Sequence, residues 1–219
     1  MSLKETLKKW NEPRYKDSDI YNPNSFNPGL FEVNTEMMKK LCPQFFGVGA
    51  FFRSFKSKAA RYDGINVIMC DGDMNPALVV AEDPYLVACY SGDFDAVVLL
   101  AFPKELGEAK GWKIGTELIV TEFYSAPDWW TKKNKDIDIG PYGSTHFKAV
   151  CPIVVDLYSD NYERLDRKKA EIPTEMWERT WALAEQYMAK HPGMARNGLD
   201  LGYKDAVEIS KIVFPPFEL

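Results

Sequence analysis

Carboxylates one residue apart can share a metal ion, and residues 71–82, DGDMNPALVVAE, place Asp71, Asp73, Asn75 and Glu82 at the first, third, fifth and twelfth positions of a twelve-residue window. These are ligand positions of an EF-hand calcium loop. Such a loop also needs a glycine at its sixth position and a helix on each side. Here the sixth residue is Pro76, the strand formers Ile65, Val67 and Ile68 precede the window, and Pro84 follows it. Asp, Gly, Asn and Pro equally favour tight turns for reasons of backbone conformation. The window therefore reads as a turn, with Asp71, Asp73 and Asn75 as the only candidate calcium or magnesium ligands.

The DxD pair also resembles the aspartates of haloacid-dehalogenase-type phosphotransferases and the metal aspartates of glycosyltransferases, but only at Asp71 and Asp73. The first family expects Thr where Asn75 stands, and the second expects a nucleotide-binding α/β unit upstream, where this chain reads as helical. Phosphate loops are missing: Gly47 and Gly49 lack a third glycine, and GEAKGWK lacks the P-loop hydroxyl and spacing. With His146 and His191 the only histidines, HExxH and triad schemes run short of bases. His146 is the one catalytic candidate, because YGSTHFKAVC sets hydroxyls, an imidazole and Cys151 in one stretch, and a Cys–His pair can make a thiolate nucleophile. Five residues apart on one strand, the two would face opposite sides unless Pro152 introduced a bulge. His191 reads as a residue at a helix C-terminus, favoured there by the dipole.

The best candidate binding surface is the long loop SAPDWWTKKNKDIDIGPYGST. Loops of this length inside a domain are usually functional or disordered. Trp129 and Trp130 are adjacent, so in extended chain one can face the core and the other solvent. An exposed tryptophan beside Lys132 and Lys133, with Tyr142 near, would be an apolar anchor within a polar rim.

These residues must be positioned by a chain that runs from helix to sheet to helix. A helix capped by Asn34 is predicted to stop at Pro43, and Val48, Phe51, Phe52, Phe55 and Ala59 recur at helical spacing. From Ile65 the period becomes that of strands: INVIMC, ALVVAE, YLVACY and DAVVLLAF, joined by turns short enough to force an antiparallel meander. KIGTELIVTEFY and FKAVCPIVVDLY follow as further strands, the latter an edge or bulge because of Pro152. PTEMWERTWALAEQYMAK is a helix with Thr174 at its cap and Trp177, Trp181, Ala184 and Met188 along one face, and YKDAVEISKIV suggests a last short helix.

The expected fold is thus α+β: a strongly curved, mainly antiparallel sheet of about six strands, a small barrel or β-roll, covered by helices from both ends. We expect one domain over 1–219, with a helical segment over 1–62, a β-rich core over 63–158 and a helical segment over 159–219. The 219 residues, 46% hydrophobic, suffice for one sizeable core. No apolar run approaches eighteen residues, and the charged start MSLKETLKKW lacks a secretory leader, so a soluble cytoplasmic protein is expected. The scattered Cys42, Cys70, Cys89 and Cys151 suit reduced thiols. A net charge of −5 argues against nucleic acid or anionic membrane as partner.

No cofactor is implied. The function expected is a non-enzymatic module that binds another protein, as an inhibitor or immunity-type factor binds a basic partner. The alternatives are a small hydrolase or metal-dependent enzyme using His146 or Asp71 and Asp73, and a small-ligand carrier in which inward residues such as Val79, Val87 and Val98 leave a cavity.

Overall fold

The computed structural model describes residues 4–6, 27–46, 55–125 and 132–217. Its first complete helix, α1 (Thr35–Leu41), starts as expected: Asn34 Oδ1 accepts from the Glu36 and Met37 amides at 3.0 Å, and Pro43 stands just beyond its end. Helix α2 (Phe55–Asp71) corrects the expected first strand, because Ile65–Cys70 forms its last turns. The β-branched run is helical because Ile65 and Met69, four residues apart, are both buried in the core, which outweighs their preference for strands. Gly72 ends the helix: its amide bonds Ile68 O at 2.8 Å, and a Cβ there would lie 2.3 Å from Thr121 Oγ1. The Val48–Phe52 part of the predicted phenylalanine face lies outside the described residues.

Strands β1 (Asn75–Glu82), β2 (Tyr85–Ser91) and β3 (Ala96–Phe102) form the predicted meander. A short helix, α3 (Lys104–Ala109), then leads to β4 (Glu117–Tyr124), which pairs with the far side of β1. Strand β5 (Val150–Val154) adds to β4 at the edge, where Pro152 costs no ladder bond. Helices α4 (Tyr162–Glu171) and α5 (Thr174–Lys190) follow, and then β6 (Met194–Asn197) and β7 (Val207–Glu208). Strand β6 lies parallel to β3, so the sheet is mixed, with seven strands in the order β5-β4-β1-β2-β3-β6-β7. The expected short helix near the end of the chain is instead β7 and a 3₁₀ turn over Ile209–Lys211.

The sheet is strongly curled into a half-barrel. A register shift between Val79 and Ala81 marks a bulge in β1, which sharpens twist. One face carries the larger apolar cluster, including Val79, Val87, Val98, Val120 and Ile153, and the other packs Leu86, Val97 and Leu99 under α5. Covering both faces explains why β2 and β3 are continuous apolar runs. The buried stripe of α5 is Met176, Thr180, Ala184 and Tyr187. Trp177 and Trp181 flank it half-buried, one residue round from the predicted face, and Pro173 rather than Thr174 is the cap.

No described helix is long and apolar enough to cross a membrane.

Candidate functional site

Laid flat, β5 and β6 would lie about 24 Å apart, five strand spacings. Curling brings them to the two sides of one seam, and side chains rather than a backbone ladder bridge it. Arg196 of β6 donates from Nη1 to Val150 O of β5 at 2.7 Å, and grips Asp136 in a fork, Nε to Oδ2 at 2.7 Å and Nη2 to Oδ1 at 2.8 Å. Arginine and aspartate are 4% and 6% exposed, so each charge depends on the other. Tyr187 of α5 adds a bond to Asp136 at 3.5 Å, and burial followed by the Asp136 charge keeps its phenol protonated well above the ordinary range.

Asp136 belongs to the loop between β4 and β5, and that loop is anchored at alternate residues. Asn134 accepts the Val150 amide at 3.0 Å and donates to Asp205 Oδ1 at 3.0 Å, and the Lys135 amide meets the same oxygen at 2.9 Å. Burial pushes Asp205 up, but the bonds from Asn134 and Lys135 hold its carboxyl below the usual value. Asp138 bonds Lys190 and, at 3.1 Å, His191 Nε2. Partial burial opposes its ionisation, and the hydrogen bonds from Lys190 and His191 outweigh this and lower it.

Farther along, the loop lies on the β2–β3 turn. Asp95 in that turn is fully buried and accepts from Arg179 Nε at 2.7 Å and Nη2 at 2.5 Å, Tyr90 Oη at 2.9 Å and the Tyr142 amide at 3.2 Å. Gly140 and Gly143 permit this approach, since a Cβ on either would come within 2.2 Å of the turn's carbonyl oxygens.

The seam opens into a cleft of about 200 Å³. Leu100, Pro152 and Ile212 form apolar walls, and Arg196, Asp200, Lys204, Asp205 and Lys211 bring charges of both signs. Tyr203, Val207 and Val213 stand nearby with 47%, 44% and 84% of their surface exposed.

Beside the seam on β4, Glu122 is a buried carboxyl whose Oε1 has no hydrogen-bond partner. Burial is the main cause that raises it to about 8, against the bonds from Tyr124 and Ser91 that favour its charged form. Tyr124 donates to Glu122 Oε2 and meets Ser91 Oγ at 3.0 Å.

The residues singled out in the sequence are distributed as follows. Lys132 and Lys133 are exposed, and Tyr142, also exposed, has its ring 5.8 Å from the Arg179 guanidinium carbon. Trp129 and Trp130 lie outside the described residues. His146 is exposed and packs edge-on to Phe147, which stacks on Tyr124, so the contacts that link His146 to Glu122 run through two aromatic rings. Cys151 is buried at the cleft.

Asp71 is the last residue of α2, Asp73 accepts the Asn27 amide at 2.8 Å, and Asn75 opens β1 buried. These three occupy a helix end, a connecting residue and a strand start rather than one turn between strands. Among the described residues no three His, Cys, Asp or Glu side chains converge as a metal site.

Arg196, Asp205 and Glu122 escaped the sequence reading. A signal existed only for the loop, where NKDIDIG alternates polar residues with isoleucines in the manner of a half-buried extended segment. No family model, curated protein or solved structure matches the chain.

Proposed function

We propose that this protein is a non-enzymatic binding module that captures another protein through the loop between β4 and β5, as an inhibitor or immunity-type factor would. The observation that carries this reading is a long loop held at Asn134, Asp136 and Asp138 while Lys132, Lys133 and Lys135 stay exposed. A segment held beforehand, as residues 134–138 are, loses little conformational freedom on binding, so more of its contact energy remains as affinity. Three ammonium groups within residues 132–135 suit an acidic patch on the partner and a salt-sensitive encounter. The sequence expectation of a basic partner came from the acidic balance of the whole chain, whereas the lysines of this loop favour an acidic patch at the point of contact. Trp129 and Trp130 adjoin the lysines in sequence and are the residue type that anchors interface centres.

The test is amine-directed cross-linking of tagged protein in lysate of the source organism, with the linked peptides mapped. The expected result is one stoichiometric partner linked through Lys132, Lys133 or Lys135 and lost in a folded Lys132→Glu, Lys133→Glu variant. Links scattered over other lysines, or unchanged in that variant, would reject the loop as the recognition surface.

The small-ligand reading has its own support in the seam cleft. It does not rest on the sheet interior, where Val79, Val87 and Val98 are fully buried in the apolar cluster.

A further inference from the structure

The cleft between β5 and β6 has a size and a charge pattern that together select a ligand. Its volume, about 200 Å³, is below the roughly 300–1,000 Å³ of pockets for drug-sized molecules and above the roughly 150 Å³ that holds a benzene ring. An occupant of amino-acid size fits these limits.

The charges disfavour a ligand of a single sign. Arg196 is already neutralised by Asp136, and its three bonds leave two of its five N–H groups, one on each Nη. Among the described residues Lys204 pairs with Asp200 and Lys211 with Glu208, in exposed pairs of the kind that contribute little. Among the described residues both bonds to Asp205 arrive at Oδ1, which leaves Oδ2 for a further donor. A lone anion in the cleft would meet Asp200 and Asp205, and a lone cation would meet Lys204 and Lys211. A molecule with both charges satisfies both sets, and Leu100, Pro152 and Ile212 offer an apolar wall to whatever side chain it carries.

The geometry points to a small zwitterion of the α-amino-acid class, bound in the seam with its carboxylate toward Lys204 and Lys211 and its ammonium toward Asp205. This goes beyond the protein-binding reading and does not depend on the loop's partner. The site also lies where occupancy would be felt by the fold, because Asp205 holds Asn134 and Lys135 at the start of the anchored loop.

Titration calorimetry on the full chain tests this with the common L-amino acids as probes, and with propionate and propylamine as probes that carry one charge each. At least one amino acid is expected to give a saturable isotherm, and the single-charge probes none. Two variants then locate the site. Lys204→Met, Lys211→Met alters exposed side chains that no core contact requires, and should weaken binding about tenfold or more. Asp205→Asn should weaken it as much while keeping the shape of the residue, with folding checked by circular dichroism. The proposal is overturned if no amino acid binds, if propionate or propylamine binds as well as the best amino acid, or if the lysine double variant, folded, binds with unchanged affinity.

Discussion

The β1–β2–β3 meander and the β5/β6 seam are two parts of one sheet held together by different physics. In the meander every neighbour is joined by a backbone ladder, β2 pairs in register with β3 over its whole length, and the side chains on both faces are apolar. Across the seam the bridge is polar: one buried arginine, two aspartates and an asparagine. Apolar burial is non-directional and indifferent to pH. A buried ion pair is directional, and removing one partner leaves a charge with nothing to compensate it. The seam should therefore respond more sharply than the meander to single substitutions and to protons.

The largest effect expected is from Arg196→Met, which strands Asp136 in the interior. It should destabilise the protein by roughly 3–5 kcal/mol in a denaturant melt, and Arg196→Met, Asp136→Leu should recover much of the loss. If the single variant costs less than about 1 kcal/mol, the seam is not held as described.

Leu99→Ala in β3 is the matched change in the meander. It should cost roughly 2–5 kcal/mol through lost burial and a residual cavity, and the loss should be the same at pH 5 and pH 8. A marked pH dependence of that loss would break the contrast between the two regions.

Glu122 sharpens the comparison through protons. Its folded-state value, about 8, lies above the reference of 4.5, so between these limits the folded protein holds a proton that the unfolded chain has released. Stability then falls as pH rises through that window, by up to a few kcal/mol, and levels off above it. Glu122→Gln should flatten this slope in melts taken from pH 5 to pH 8, and leave the protein more stable than the parent at the alkaline end.

Asp138 should show the smallest effect and the opposite sign. Its lowered value means that its contribution is present above the unfolded value and is lost as pH falls through the folded one. Because the carboxylate is 45% exposed and screened by solvent, Asp138→Asn should cost well under about 1 kcal/mol, an amount that added salt reduces further.

The same division separates what could be read in the sequence from what could not. Local order was legible: the Asn34 cap, the helix over Thr35–Leu41, the apolar runs of β1 to β4, Pro152 at a sheet edge and the helix over Thr174–Lys190 follow from propensity, period and turn chemistry among near neighbours. Ile65–Cys70 carries β-branched residues that favour a strand, and only their placement against the sheet makes them the end of α2. Strands β6 and β7 were invisible because four and two residues are too few to show alternation.

The candidate site belongs almost wholly to the second class. That the chain is an α+β protein with a mainly antiparallel sheet was determined by the sequence alone, because hydrophobic periodicity is a local property that short turns convert into neighbour pairing. That Arg196 meets Asp136 sixty residues earlier, and that Asp205 meets Asn134 seventy-one residues earlier, was decided only by the tertiary structure. The physical reason is the curl of the sheet: the bend accumulated over successive strands places its two ends together, and no pattern along either segment records which residues will face each other there.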